Sequence, residues 1–153
     1  WDALETLYIG GGTPSLWGEK GAEFLAKFLK EKNIQLSSEC EFTLEVNPGS
    51  WTKESLLAWK KTGVNRYSLG IQTLNGQVIK YLDRVHTIED VFETLTYFKE
   101  INANFSVDFM LGLPHSEINQ RNVIEELELA LKFNPSHFSV YILTVKENYK
   151  YFC

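Results

Sequence analysis

Three short runs of this chain alternate between apolar residues and mostly small or polar ones. In 41–46 the apolar residues are Phe42, Leu44 and Val46, with Thr43 and Glu45 between them. In 66–72, Tyr67, Leu69 and Ile71 alternate with Ser68, Gly70 and Gln72; in 105–110, Phe105, Val107 and Phe109 alternate with Ser106, Asp108 and Met110. A period of two marks β-strands, and strands of this kind bury one face only. The central strands of a doubly wound α/β sheet carry helices on both faces and tend to be apolar throughout. Here helices are expected over the apolar face alone, while the polar face lines a cavity, as in a barrel.

Runs at 4–9 and 137–143 complete a set of five predicted strands, and amphipathic segments separate them. One carries Ala22, Leu25, Phe28 and Leu29 on a single face, another Val91, Leu95 and Phe98, a third Ile124, Leu127 and Leu131. Thr87-x-x-Asp90 reads as a capping box, and Thr52 and Ser116 as N-caps. Short linkers in a β-α-β-α order imply parallel strands with right-handed crossovers. Five strands are too few for a closed barrel of eight, which takes roughly 250 residues. The expected fold is therefore α/β, a partial, splayed (β/α) TIM-like barrel. An ordinary doubly wound domain with some polar strand residues is the alternative.

The unusual residues gather where these strands end. Gly10-Gly11-Gly12-Thr13-Pro14 follows the first, Glu45 to Gly49 ends the second, Gln72 ends the third, and Asp108 precedes Gly112-Leu113-Pro114. In a parallel barrel these points rim the C-terminal mouth, where sites are built. The glycine run is neither a Walker motif nor G-x-G-x-x-G, and alone it reads as a tight turn or as bare backbone against a ligand. Glu45 on a cavity face needs a partner, either an ion pair or a cationic ligand. Asp108 suits a ribose diol; Gln72 suits the same task or a bond to backbone. Arg84 is either a surface arginine or a fork for a carboxylate. Together these groups describe an amino acid joined to a nucleoside.

The chain has 153 residues, 44% of them hydrophobic, with a net charge of −5 and no basic stripe, which argues against a nucleic-acid partner. No apolar run approaches a membrane span and no signal-peptide pattern opens the chain. Cys40 and Cys153 stand far apart, neither a disulfide framework nor a metal cluster, so a cytoplasmic location is expected. The three histidines have no ligand-like spacing and read as satisfied side chains. Trp1 followed at once by an apolar run suggests a single domain, 1–153, cut from a longer chain.

Six motifs, GGGTPS (10–15), EVNPGS (45–50), GVNRYSLGIQTLN (63–75), LDRVHT (82–87), VDFMLGLP (107–114) and HFSVYILTV (137–145), occur in order. They resemble the radical S-adenosylmethionine (SAM) proteins related to oxygen-independent coproporphyrinogen III oxidase. The Glu-x-Asn-Pro-Gly form is closer to the heme-chaperone branch than to the oxidase proper. The resemblance implies a partial (β/α) barrel that binds SAM beside a 4Fe–4S cluster held by three cysteines. It implies reductive cleavage of SAM to a 5′-deoxyadenosyl radical and, in the oxidase, decarboxylation of a porphyrinogen propionate. In the chaperone branch it implies heme binding and transfer to an acceptor protein.

Carried over by position, Gly11, Gly12 and Thr13 match the family's glycine motif, and Glu45, Gln72, Arg84 and Asp108 its side-chain contacts to SAM. The resemblance assigns Gly11 and Glu45 to the ammonium, Arg84 to the carboxylate, Gln72 and Asp108 to the ribose, and Thr144 to a further lining position. The three-cysteine loop, the first barrel strand and the C-terminal domain of the family have no counterpart here, and Asp83 replaces a usual glycine beside Arg84. The chain is thus expected to hold no cluster and to perform no radical chemistry by itself. Its parent is read first as an oxidoreductase-like radical SAM protein of heme metabolism. A heme chaperone is the second reading, and a sugar- or phosphate-handling barrel without a cluster the third.

Overall fold

A computed structural model describes residues 3–82 and 84–144. Trp1, Asp83 and Cys153, all named above, lie outside the described residues. Five strands form one sheet in chain order: β1 Leu4–Ile9, β2 Leu36–Val46, β3 Arg66–Gln72, β4 Phe105–Leu111 and β5 His137–Ile142. All four neighbouring pairs are parallel. A doubly wound sheet reverses its strand order at a switch point. This one never reverses, so right-handed crossovers place every helix on one face and the sheet curls toward the other. The architecture is a curled half-barrel of (β/α) units, a partial TIM-like barrel.

Register accounts for the two faces. Leu44 lies opposite Tyr67, Tyr67 opposite Phe105, and Val107 opposite Phe138, so the alternating apolar residues form one continuous layer. Phe42, Leu44, Leu69, Ile71, Val107 and Phe109 are fully buried in it. The helices are α1 Gly18–Glu31, α2 Lys53–Thr62, α3 Gly76–Tyr81, α4 Ile88–Glu100 and α5 Val123–Leu131. Trp59 of α2 and Val91, Leu95 and Phe98 of α4 close the layer from outside, with Phe98 packed edge-on against Phe105 at 5.3 Å. Among the described residues no helix is long and apolar enough to cross a membrane.

Capping chemistry sets the helix starts. Thr52 and Ser55 exchange side-chain and backbone bonds at the head of α2, and Thr87 and Asp90 do the same for α4. Three expectations about the helices shift. Ser116 caps nothing: its hydroxyl donates to the Leu113 carbonyl, and α5 begins later, capped by Asn122. The buried face of α5 is also rotated. Ile124 and Leu131 are exposed, whereas Glu126 and Ala130 face inward. In α1, Phe28 sits outside the core and stacks on the exposed Phe24. α3 gave no periodic apolar signal in the sequence.

Candidate functional site

The concave face is polar, and its side chains converge at the C-terminal ends of β1 to β4. Gly12, Glu45, Asn47, Ser68, Gly70, Gln72, Arg84, Asp108, Met110 and Tyr141 line an open cavity of about 270 Å³. Five predicted residues, Gly12, Glu45, Gln72, Arg84 and Asp108, thus share one space. Gly11 joins them by donating its N–H to Glu45 Oε2 at 2.8 Å. Thr13 lines an adjoining cavity of about 290 Å³, which shares Asn47 and Arg84 with the first. Its hydroxyl accepts from Asn47 Nδ2 at 3.0 Å. Thr144 is the exception: exposed beyond the end of β5, it is not part of the cavity wall.

The glycine run serves two purposes. Gly11 and Gly12 take φ values of 83° and 64°, a left-handed turn that residues with a Cβ adopt at a cost. Gly10 admits a neighbour instead, because a Cβ there would stand 2.8 Å from the Glu45 carboxylate. The bare backbone lets Glu45 lie against the turn, where the Gly11 N–H can reach it.

Tyr8, on the concave face of β1, donates its hydroxyl to Glu45 Oε1 at 2.8 Å. Burial, reinforced by the hydrogen bond to Glu45, pushes the phenol up to about 12, so Tyr8 remains a donor at neutral pH. Both oxygens of Glu45 therefore have protein partners that orient the carboxylate toward the cavity.

Asp108 is treated differently. Its Oδ2 accepts from the Ser68 hydroxyl at 2.9 Å, while Oδ1 is buried with no hydrogen-bond partner. Burial raises its carboxyl above the usual range, and the Glu45 charge adds to this. The Ser139 and Ser68 hydroxyls and Arg66 pull it back. Ser139 pairs with Asp108 across β4 and β5 but makes no bond to Oδ1. A buried acceptor without a donor is costly unless a ligand supplies one. Gln72 holds a left-handed φ of 65° at a register shift between β3 and β4, a strained position for a residue with a Cβ.

The donor set fits SAM: one fixed carboxylate for an ammonium, an arginine for a carboxylate, and an unpartnered carboxylate oxygen for a hydroxyl. It does not fit an iron–sulfur cluster. Among the described residues the only free cysteine, Cys40, is buried on β2, and no group of three His, Cys, Asp or Glu side chains is placed to hold a metal. His86, expected to be satisfied, is buried with Nε2 unpartnered beside the adjoining cavity. Burial lowers its pKa, and the Arg84 charge lowers it further.

Sequence reasoning gave Tyr8, Ser68 and Asn47 no role in the site. Ser68 stands at a polar position of the period-two pattern of β3, a usable signal, whereas β1 has no such alternation to mark Tyr8. Sequence reasoning also missed the buried pair Arg121–Glu126 behind the ends of β3 and β4, because a glutamate in an amphipathic helix reads as solvent-facing.

The pattern of the radical SAM superfamily matches residues 1–148. The heme chaperone HemW of Buchnera aphidicola (subsp. Schizaphis graminum) is 35% identical over 145 residues, 95% of this chain and 38% of its own length. HemW of Bacillus subtilis is 35% identical over 144 residues, again 38% of its length. The structure of the Escherichia coli coproporphyrinogen III oxidase HemN, described as a radical SAM enzyme, superposes with a TM-score of 0.78 at 29% identity. That match covers 92% of this chain and 32% of HemN. The chain therefore spans about 38% of the length of the two chaperones.

Proposed function

The chain belongs to the radical SAM superfamily, and from that premise we propose that its concave cavity binds SAM within a longer heme chaperone. The observation that carries the SAM assignment is the convergence of Glu45, Gln72, Arg84 and Asp108 on one cavity, with Asp108 Oδ1 left unpartnered. Glu45, fixed by Tyr8 and the Gly11 N–H, takes the methionyl ammonium together with the bare peptide at Gly11. Arg84 takes the carboxylate, and Asp108 and Gln72 take the ribose hydroxyls. Gly12 and Thr13 shape the turn beside them.

SAM supplies radical chemistry when bound beside a reduced 4Fe–4S cluster, and the ligands of that cluster are placed outside this chain. The chain's own residues bind and orient SAM. The location proposed is cytoplasmic, the bound cargo heme or a related porphyrin, and the recipient an acceptor protein.

The names of the relatives support the chaperone over coproporphyrinogen oxidation. The structural likeness to HemN favours the oxidase as a second reading. Two measurements on the full-length protein, reconstituted anaerobically, separate them. The chaperone reading expects a saturable Soret shift on heme titration and no decarboxylation of coproporphyrinogen III. Turnover of that substrate with SAM consumption would establish the oxidase instead.

A further inference from the structure

Arg121 and Glu126 form a buried ion pair that stands outside the cavity lining, with side chains 1% and 8% exposed. The pairing is a fork: Nε donates to Oε1 at 3.1 Å and Nη2 to Oε2 at 3.1 Å. The guanidinium also reaches backbone, with Nη1 donating to the Met110 carbonyl at 2.7 Å and Nη2 to the Gln72 carbonyl at 3.4 Å. Glu126 in turn accepts the Thr73 hydroxyl at 2.9 Å and the Leu74 N–H at 3.1 Å. One pair thus ties the end of β3 to the end of β4. It does so where their ladder stops, with Gln72 opposite Phe109 after the register shift.

Stability alone is a poor reason for such a pair, since two charges taken from water are often matched by well-packed apolar residues. Geometry supplies a better one. Gln72, the last residue of β3, takes a left-handed backbone where the ladder ends, and its carbonyl and that of Met110 need donors. A guanidinium offers five donors in a rigid plane, enough to bridge both carbonyls and a carboxylate at once. Gln72 and Met110 both line the cavity, and Asp108 lies two residues before Met110 on the same strand face. A lysine at 121 would keep the charge opposite Glu126 but lose the planar bridge.

We infer that Arg121, locked by Glu126, is a positioning residue that sets the distance between Gln72 and Asp108 so that both meet one ligand. The inference rests on the SAM reading of the cavity, and its test separates the two. In the full-length reconstituted protein, Arg121→Lys should weaken SAM binding by calorimetry about tenfold, the size of loss expected when charge-assisted hydrogen bonds are broken. In a Gln72→Ala background the same change should cost less than about threefold, because residues that act through one another are not additive. Wild-type affinity in Arg121→Lys, or fully additive losses, would overturn the inference.

If Arg121→Lys does not fold, Glu126→Gln is carried through the same cycle with the same criteria. Amide hydrogen exchange without SAM gives a second readout, in which loss of the bridge should speed exchange at Leu74 at least about tenfold. Unchanged exchange there would overturn the bridge whatever the ligand. A wild-type protein that fails to bind SAM would overturn the cofactor reading, and the exchange measurement would still decide the bridge.

Discussion

Replacing Asp108 by asparagine should push binding and stability in opposite directions. The side chain keeps its shape, and the amide oxygen can still accept from Ser68, as Oδ2 does at 2.9 Å. An NH₂ donor then stands in place of the unpartnered Oδ1. One charge-assisted hydrogen bond to a ribose hydroxyl is lost, worth about 1.5–3 kcal/mol. That corresponds to a rise in the Kd for SAM of about 10- to 150-fold. Stability should not fall with it. Burial, and then the Glu45 charge, raises the Asp108 carboxyl above its unfolded value. The folded state therefore holds that proton more tightly than the unfolded chain does. The contribution of this group is greatest below the usual carboxylate range and declines as pH rises through it. At neutral pH the asparagine removes that cost, so the melting temperature should stay level or rise. Calorimetric titration with SAM and thermal melts at neutral pH read the two effects. A variant that loses stability but binds SAM normally would show Asp108 to be a structural carboxylate and refute the reasoning.

Gly10→Ala places a methyl group 2.5 Å from the Tyr8 ring and 2.8 Å from the Glu45 carboxylate that Tyr8 holds. Moving that carboxylate should weaken SAM binding by about tenfold, the loss of roughly one charge-assisted bond; calorimetry giving wild-type affinity would show that Glu45 needs no fixed seat. His86 has a folded pKa below its ordinary 6.5. As pH falls through 6.5 the unfolded chain takes up the proton first, so stability above that pH is lost below it. Denaturant midpoints of His86→Leu should fall less steeply than wild type on acidification, and parallel curves would contradict the burial. Phe98→Ala empties a fully buried site between α4 and the sheet and should cost about 3–5 kcal/mol by chemical denaturation.

Most of the fold was legible because it follows from period-two patterning, which responds only to which face of a strand meets water. Phe42, Leu44, Leu69 and Val107 therefore announced both the sheet and its one-sided cover. Thr52 and Thr87 were legible for a local reason, since a capping box is written within four residues. The face of α5 was not. Glu126 is buried through Arg121 and the backbone beyond β3, partners that become neighbours only once the sheet has formed. Gln72 hid its left-handed backbone for the same reason: a glycine there would have signalled it, whereas here a register shift and a distant arginine hold the strain. Of the site, the charged residues could be read because polar groups at successive strand ends are improbable by chance. Tyr8 could not, because a tyrosine in a strand has many uses and only the fold reveals Glu45 beside it.

These strand ends are proposed to hold SAM in one orientation. A crystal structure of the full-length protein with SAM bound tests it most directly. The ammonium is expected against Glu45, the carboxylate against Arg84, and a ribose hydroxyl donating to Asp108 Oδ1. Electron density that placed SAM elsewhere, or turned its ribose away from Asp108, would contradict it.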